Sequence, residues 1–263
     1  MVTVAMGRLA VTVLAIALLA SGCGERPEPL GESAVEYPVT VGEAVLKQKP
    51  AVLVGLGSGM ADLLVALRGA GKAPGKTELI AAWSSTACLP ECAAGDAVYV
   101  GNGDTIAGIE RAIADLGLLL GEPARARALI AQIEERRRRV RELTSGTKPV
   151  KVFIDLGLFR TASNRSLIGR LIREAGGVNV AGPTPEPGPF DLRQLAVEDP
   201  DVYIVSSGSG ATLSSLRGDP RTRRLRAVRT GRVVVVAGAD LEPGHRAGDG
   251  LLAIARALHP EPE

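Results

Sequence analysis

Three features of the 263-residue sequence predict an α/β protein of two lobes, each with a mainly parallel sheet, joined by one long backbone helix. Apolar runs of strand length alternate with amphipathic helix patterns on both sides of mid-chain, as in parallel sheets whose crossovers are helical. Between these blocks "EPARARALIAQIEERRRRVRELTSG" is helix-patterned throughout. The hydrophobic share, 46%, allows a substantial core in each block.

In the first block "AVLVGLGSG" reads as a strand ending in a glycine turn, and "MADLLVALRGAG" as a helix with a glycine stop. "TELIAAWSS" and "AVYVGNG" are further strands. "DTIAGIERAIADLGLLLG" carries apolar residues at helical spacing, with Asp104 as its expected N-cap. The mid-chain helix of about 24 residues would span about 36 Å. In the second block "VKVFIDL" is a strand, residues 163–175 a helix and "VNVA" a short strand. "DLRQLAVEDP" is a helix, "DVYIVSS" a strand and "DPRTRRLRAV" a short helix. "RVVVVAG" is a strand, and "HRAGDGLLAIARALHP" a terminal helix closed by Pro260. Gly176 and Gly177 end their helix firmly, since glycine takes the left-handed conformation beyond a helix at no steric cost.

The charge balance, 31 basic against 29 acidic residues, gives no nucleic-acid surface. "EERRRRVRE" reads as a solvated helix face, because Glu134–Arg138 and Glu135–Arg139 stand at i,i+4. With two histidines in the whole chain, a cage for a bare Zn²⁺ or Mn²⁺ is disfavoured. His259, beside Pro260 at a helix end, is expected to be exposed. "GLGSGM" after the first strand lacks the third glycine of a dinucleotide fingerprint, and Glu78 begins the next strand rather than ending it. No "GxSxG" elbow and no paired carboxylates suggest catalysis, so neither an enzyme nor a resident cofactor is expected.

Residues 1–22 read as a signal peptide: Arg8 gives a positive start, and Leu9 to Ala20 is an apolar run too short to span a membrane comfortably. It closes on Ala20-Ser21-Gly22-Cys23, which resembles the lipobox of bacterial lipoproteins although Ala20 stands where Leu is usual. The favoured reading is lipidation at Cys23, with an ordinary cleaved signal as the alternative. Acyl chains add about 0.8 kcal/mol of membrane affinity per buried CH₂. Residues 23–38, rich in Pro, Gly and Glu, are then a flexible tether. An extracytoplasmic setting makes a disulfide the default for Cys88 and Cys92 in "CLPEC"; a second Cys or His pair to complete a metal site is missing.

"FRTASNRSLIGRLIREAGGVNVA", "LAVEDPDVYIVSSG", "DPRTRRLRAVRTGRVVVV" and "EPGHRAGDGLLAIARALHP", in this order and spacing, resemble the second lobe of class III (helical-backbone) solute-binding proteins. "YPVTV…KPAVLVGLGSGMADLLVALRGAG" resembles the opening of the first lobe, and "SSTACLPEC" the loop that follows. The resemblance implies a receptor for vitamin B12 (a corrinoid), an iron–siderophore or haem. It would deliver its ligand to an ABC permease dimer with its ATPase, anchored to the membrane by lipid. It implies a first lobe over 39–118, a backbone helix over 119–147 and a second lobe over 148–263. A degenerate receptor with a scaffold or sensing role is the alternative, because one helix–strand unit of the first lobe is missing and Arg193 stands where the family has a docking Glu. Glu43 is the first-lobe counterpart on one of two alignments. A secreted α/β enzyme is a further, weaker alternative.

The resemblance places Phe159, Arg160 and Thr161 on the ligand cleft, where the carboxyl ends of parallel strands also bind ligands generally. Ser58, Ser84, Ser85 and Ser207 lie in strand-end loops with hydroxyls on offer. Trp83 belongs either to the cleft wall or to the lobe core. Glu242, His245 and Arg246 follow the last strand. The family commonly has Pro at His245, which either tunes ligand choice or caps a helix in solvent.

Overall fold

The computed structural model describes residues 35–41, 44–48, 50, 52–68, 78–82, 97–101, 103–182 and 188–260. A hairpin opens it, β1 (Val39–Val41) pairing antiparallel with β2 (Ala44–Leu46). β3 (Val52–Leu56) is then flanked in parallel by β4 (Glu78–Ala82) and β5 (Ala97–Gly101), in the order β4-β3-β5. Helix α1 (Met60–Arg68) follows β3. Its buried Met60, Leu63, Leu64 and Leu67 recur at the spacing that gives a helix one apolar face.

Helix α2 (Ile106–Leu120) follows β5 and is capped by Thr105, whose Oγ1 accepts the Gly108 N–H at 3.0 Å. Asp104, the cap expected from sequence, sits one residue outside it and is exposed. Both residue types cap well, so composition alone could not choose between neighbours.

Helix α3 (Pro123–Thr144) is the long mid-chain helix, about 33 Å at 1.5 Å per residue. Its fully buried residues, Ala126, Ile133 and Val140, recur every seven positions, so a narrow apolar stripe holds an otherwise charged helix. Glu135 pairs with Arg139 at 3.0 Å, as the spacing predicts, and also with Arg138. The expected Glu134–Arg138 pair is replaced by Glu134–Arg137 at 2.8 Å, one position closer on the helix, and Arg137 reaches on to Glu174 at 2.7 Å.

The second block is a four-stranded parallel sheet, order β11-β10-β6-β8. Its strands are β6 (Val150–Asp155), β8 (Gly177–Asn179), β10 (Val202–Ser206) and β11 (Val233–Val236). Two short strands, β7 (Arg160–Thr161) and β9 (Gly188–Pro189), pair antiparallel beside it. The helices here are α4 (Leu167–Glu174), α5 (Leu192–Glu198), α6 (Leu213–Gly218), α7 (Arg226–Arg229) and α8 (Ala247–Leu258), with a 3-10 turn at Gly238–Leu241. α4 starts later than the residues 163–175 expected from sequence, because residues 162–166 make a hydrogen-bonded turn that Ser166 then caps. α6 lies in a stretch to which the sequence patterns assign no element; Thr212 and Ser215 form a reciprocal capping box at its start. His259 is half-buried rather than exposed, its Nε2 at 3.1 Å from the Ala175 carbonyl oxygen. Gly176 has φ +77°, the left-handed stop expected after α4.

Alternate residues of the four-stranded sheet face two cores. Val152, Ile154, Val202 and Ile204 join buried residues of α1, α2, α3 and α8 in one continuous apolar cluster. Phe153 and Tyr203 face the other way, packing with Phe190, Leu216 and Leu225. The described residues belong to one unit, and the first cluster links the helices on the three-stranded sheet to those on the four-stranded one. Among the described residues no helix is long and apolar enough to cross a membrane.

Candidate functional site

A cavity of about 510 Å³ opens where the carboxyl ends of both parallel sheets meet. From the first sheet come Ser58, in the turn after β3, and Asp104, beyond β5. From the second come Leu156 after β6, Ala162 after β7, the start of α4 (Arg165, Ser166, Leu167, Ile168) and Leu241, Glu242 and Pro243 after β11. Parallel strands end with their connections on one edge, so loops from separate strands converge there without any one being long. The volume lies in the usual range of small-molecule sites.

The two walls are held close. Gly59 has φ +74°, and a Cβ there would lie 2.6 Å from the Pro243 carbonyl oxygen, so the turn after β3 touches the loop after β11. Arg246 reinforces this contact, pairing with Asp62 of α1 at 2.5 Å and lying 3.6 Å from Asp240. His245 beside it is half-buried, with Nδ1 enclosed and lacking a hydrogen-bond partner. Burial, then the Arg246 charge, hold its imidazole below the usual range, so it stays neutral near neutral pH.

The turn after β6 is built on Asp155. This residue is buried; its Oδ1 accepts the N–H groups of Gly157 at 2.8 Å and Phe159 at 3.1 Å, and its Oδ2 accepts the Tyr203 hydroxyl at 2.9 Å. These bonds hold Leu158 and Phe159 at φ +54° and +58°, a conformation L side chains rarely adopt. Asn179 braces the next stretch, donating from Nδ2 to the Ala162 carbonyl at 2.8 Å.

The expected site residues fall into three groups. Ser58 and Glu242 line the cavity. Phe159, Arg160 and Thr161 lie on the turn between its wall residues Leu156 and Ala162. Of these three, Phe159 is half-buried under the Arg221 guanidinium at 5.0 Å, Arg160 is exposed, and Thr161 is buried with its hydroxyl unpaired. Ser207 is exposed and accepts the Gly238 N–H at 3.0 Å, while His245 and Arg246 follow the wall residues Glu242 and Pro243 in sequence without lining the cavity themselves. Trp83, Ser84, Ser85, Cys23, Cys88 and Cys92 lie outside the described residues, as does Glu43. Sequence reasoning missed Asp104, Leu156, Arg165 and the first turn of α4. The strand-end rule applied to β5 and β6 reaches the first two; for Arg165 there was no signal, because its place depends on how the turn before α4 folds back. Among the described residues no group of three or more His, Cys, Asp or Glu is arranged to hold a metal ion.

With two sheets edge to edge around a cavity lined by aliphatic, hydroxyl and charged side chains of both signs, the site is equipped to hold a small molecule. The family model described as "Periplasmic binding protein" matches residues 96–238. No curated protein matches the sequence closely enough to count as a relative. Among solved structures, the periplasmic haem-binding protein BhuT in complex with two haems is 17% identical, with a TM-score of 0.64 over 79% of this chain and 98% of that one. The periplasmic haem-binding protein RhuT from Roseiflexus sp. RS-1, in apo form, is 22% identical with a TM-score of 0.62, covering 80% of this chain and 98% of its own. A periplasmic binding protein from Veillonella parvula is 14% identical with a TM-score of 0.66, covering 87% and 99%. At these identities the likeness is one of fold.

Proposed function

Since the chain belongs to the periplasmic binding protein family, we propose that it is the extracytoplasmic solute receptor of an ABC importer, capturing a metal chelate. The family is one of binding proteins rather than enzymes, in agreement with the expectation that the chain catalyses nothing. The observation that carries the reading is the cavity of about 510 Å³ built jointly by strand ends of both sheets. A chelate brings its own metal coordination, so it asks of the protein only shape, apolar contact and a few directed polar groups. Leu156, Ala162, Leu167, Ile168 and Leu241 supply the apolar surface; Ser58, Arg165, Ser166, Asp104 and Glu242 supply the polar groups.

Haem and iron–siderophore chelates are the ligand classes favoured, the first because BhuT and RhuT, of the same fold, bind haem. A corrinoid remains in the set to be tested. In this reading residues 39–118 and 148–263 act as lobes and 119–147 as the joint, and the shared apolar cluster of α1, α2, α3 and α8 keeps lobe motion small. The loaded receptor docks on a permease dimer served by an ATPase, and a lipid on Cys23 holds it at the membrane.

The test is titration of purified, delipidated protein with haemin, ferric siderophores and cyanocobalamin, followed by the fluorescence of Trp83, the one tryptophan in the sequence. Saturable quenching at micromolar concentration by one of them supports the proposal. Absence of quenching by all three, with no binding by calorimetry, overturns the ligand class. The second reading, a degenerate receptor used as scaffold or sensor, is favoured by the exposed Arg193 at the start of α5. A genomic neighbourhood without permease and ATPase genes would support it.

A further inference from the structure

Resting on the reading of the cavity as the ligand site, we infer that Arg165 anchors a carboxylate of the ligand, so that this receptor selects chelates with a free carboxylate over neutral ones.

Arg165 lines the cavity, and among the described residues its guanidinium enters no ion pair, whereas Arg136, Arg137, Arg226 and Arg246 all do. It is a cation left uncompensated in a concave wall. Its backbone, by contrast, is heavily braced. The Arg165 N–H donates to Ser163 Oγ at 3.2 Å, and its carbonyl accepts Arg170 Nε at 3.0 Å. The preceding Asn164 carbonyl accepts Arg173 Nη2 at 2.9 Å, and the Asn164 N–H donates to the Gly182 carbonyl at 2.9 Å. Ser166 Oγ donates to the Ser163 carbonyl at 2.8 Å. A turn fixed by this many bonds, carrying one side chain with no partner, is pre-organised: holding a ligand there costs little further ordering of the backbone.

The surroundings favour the same sign of guest. Leu167 and Ile168, the next wall residues, are the first two of α4, whose leading N–H groups have no acceptor within the helix and lie at its positive end. Asp104 and Glu242 line the same cavity and repel an anion placed near them. The cavity thereby orients its guest, carboxylate toward the start of α4 and uncharged or cationic surface toward the two acidic residues. A guanidinium meets a carboxylate through two parallel N–H···O bonds, a geometry that an ester oxygen or an amide does not reproduce.

The experiment compares wild type, Arg165→Gln and Arg165→Lys in titrations with haemin, which has two free carboxylates, and with its dimethyl ester, at low and high salt. Wild type is expected to prefer haemin by roughly ten- to hundredfold, the worth of one charge-assisted bond. Arg165→Gln is expected to bind haemin and the ester with similar affinity, the preference being lost, and Arg165→Lys to keep part of it. Wild-type affinity for haemin should fall with salt more steeply than that of Arg165→Gln. Haemin binding by wild type that Arg165→Gln leaves unchanged, or equal affinity for acid and ester, overturns the anchor while the receptor reading stands. Wild type that binds neither probe overturns the haem reading itself and the anchor with it. Arg165 is exposed, so melting curves of the variants should superimpose on wild type and exclude misfolding as the cause.

Discussion

A methyl group added at Gly169 would test the turn on which the candidate site depends. Gly169 is buried in the first turns of α4, and a Cβ there would lie 2.1 Å from the Ser163 carbonyl oxygen and 2.7 Å from Asn164 Cα. Two effects oppose each other in Gly169→Ala. Replacing glycine by alanine inside a helix gains about 1 kcal/mol of propensity. Overpacking costs about 1–3 kcal/mol, and here the obstacle is backbone that five hydrogen bonds already hold, so the upper figure applies. The net is a loss of about 2 kcal/mol, or about 4–8 °C in Tm for a chain of this size. The assay is thermal unfolding by circular dichroism beside Gly218→Ala, where a Cβ meets nothing within 4 Å. The control should melt within a degree or two of wild type or slightly above it. A Gly169→Ala protein that melts at or above the wild-type temperature would show that the turn yields freely, and the claim of a pre-organised wall would be wrong.

Tyr203→Phe removes the hydroxyl that Asp155 Oδ2 accepts at 2.9 Å in a buried setting; about 2 kcal/mol of stability should go, read as a lower urea midpoint with unchanged m. Glu110 packs beside Glu134, and burial together with that neighbour pushes its carboxyl up to about 7 from an ordinary 4.5. The native state therefore holds a proton that the unfolded chain has lost between those values; the contribution is complete below about 4.5 and fades as pH rises through about 7. Glu110→Gln, fixed in the uncharged form, should lose less Tm than wild type across that window. Glu134, held below its usual range by hydrogen bonds from Arg137 and Glu110, acts in the opposite sense: its contribution is present above the ordinary carboxylate range and is lost as pH falls. Arg246 and Asp62 are substantially exposed, so a double-mutant cycle on this pair should give no more than about 1 kcal/mol of coupling, disappearing in concentrated salt.

How much of this was legible in the sequence depended on whether the signal was local. The order of strands and helices was readable because continuous apolar runs and apolar helical spacing are written within each segment, as in Val202–Ser206 or Ile106–Leu120. The long helix was readable too, although its buried stripe is only three residues deep. Errors came where neighbours compete for one task, as with Asp104 and Thr105 at the head of α2, or where a distant partner decides, as with His259 and the Ala175 carbonyl. Ser58 and Glu242 were found because strand ends in parallel sheets face one edge. Arg165 was missed because its neighbours in sequence look like an ordinary capped helix start.

The sequence by itself determined the α/β alternation, the parallel sheets and the mid-chain helix, since hydrophobic period and chain direction are properties of contiguous residues. Only the tertiary structure decided that Ser58 and Asp104 would share a cavity with Leu156, Arg165 and Glu242, and that Gly59 would press against Pro243. These residues are separated along the chain by whole strands and helices. What brings them together is the packing of α1, α2, α3 and α8 into one apolar core, a sum of many weak contacts that no single segment records.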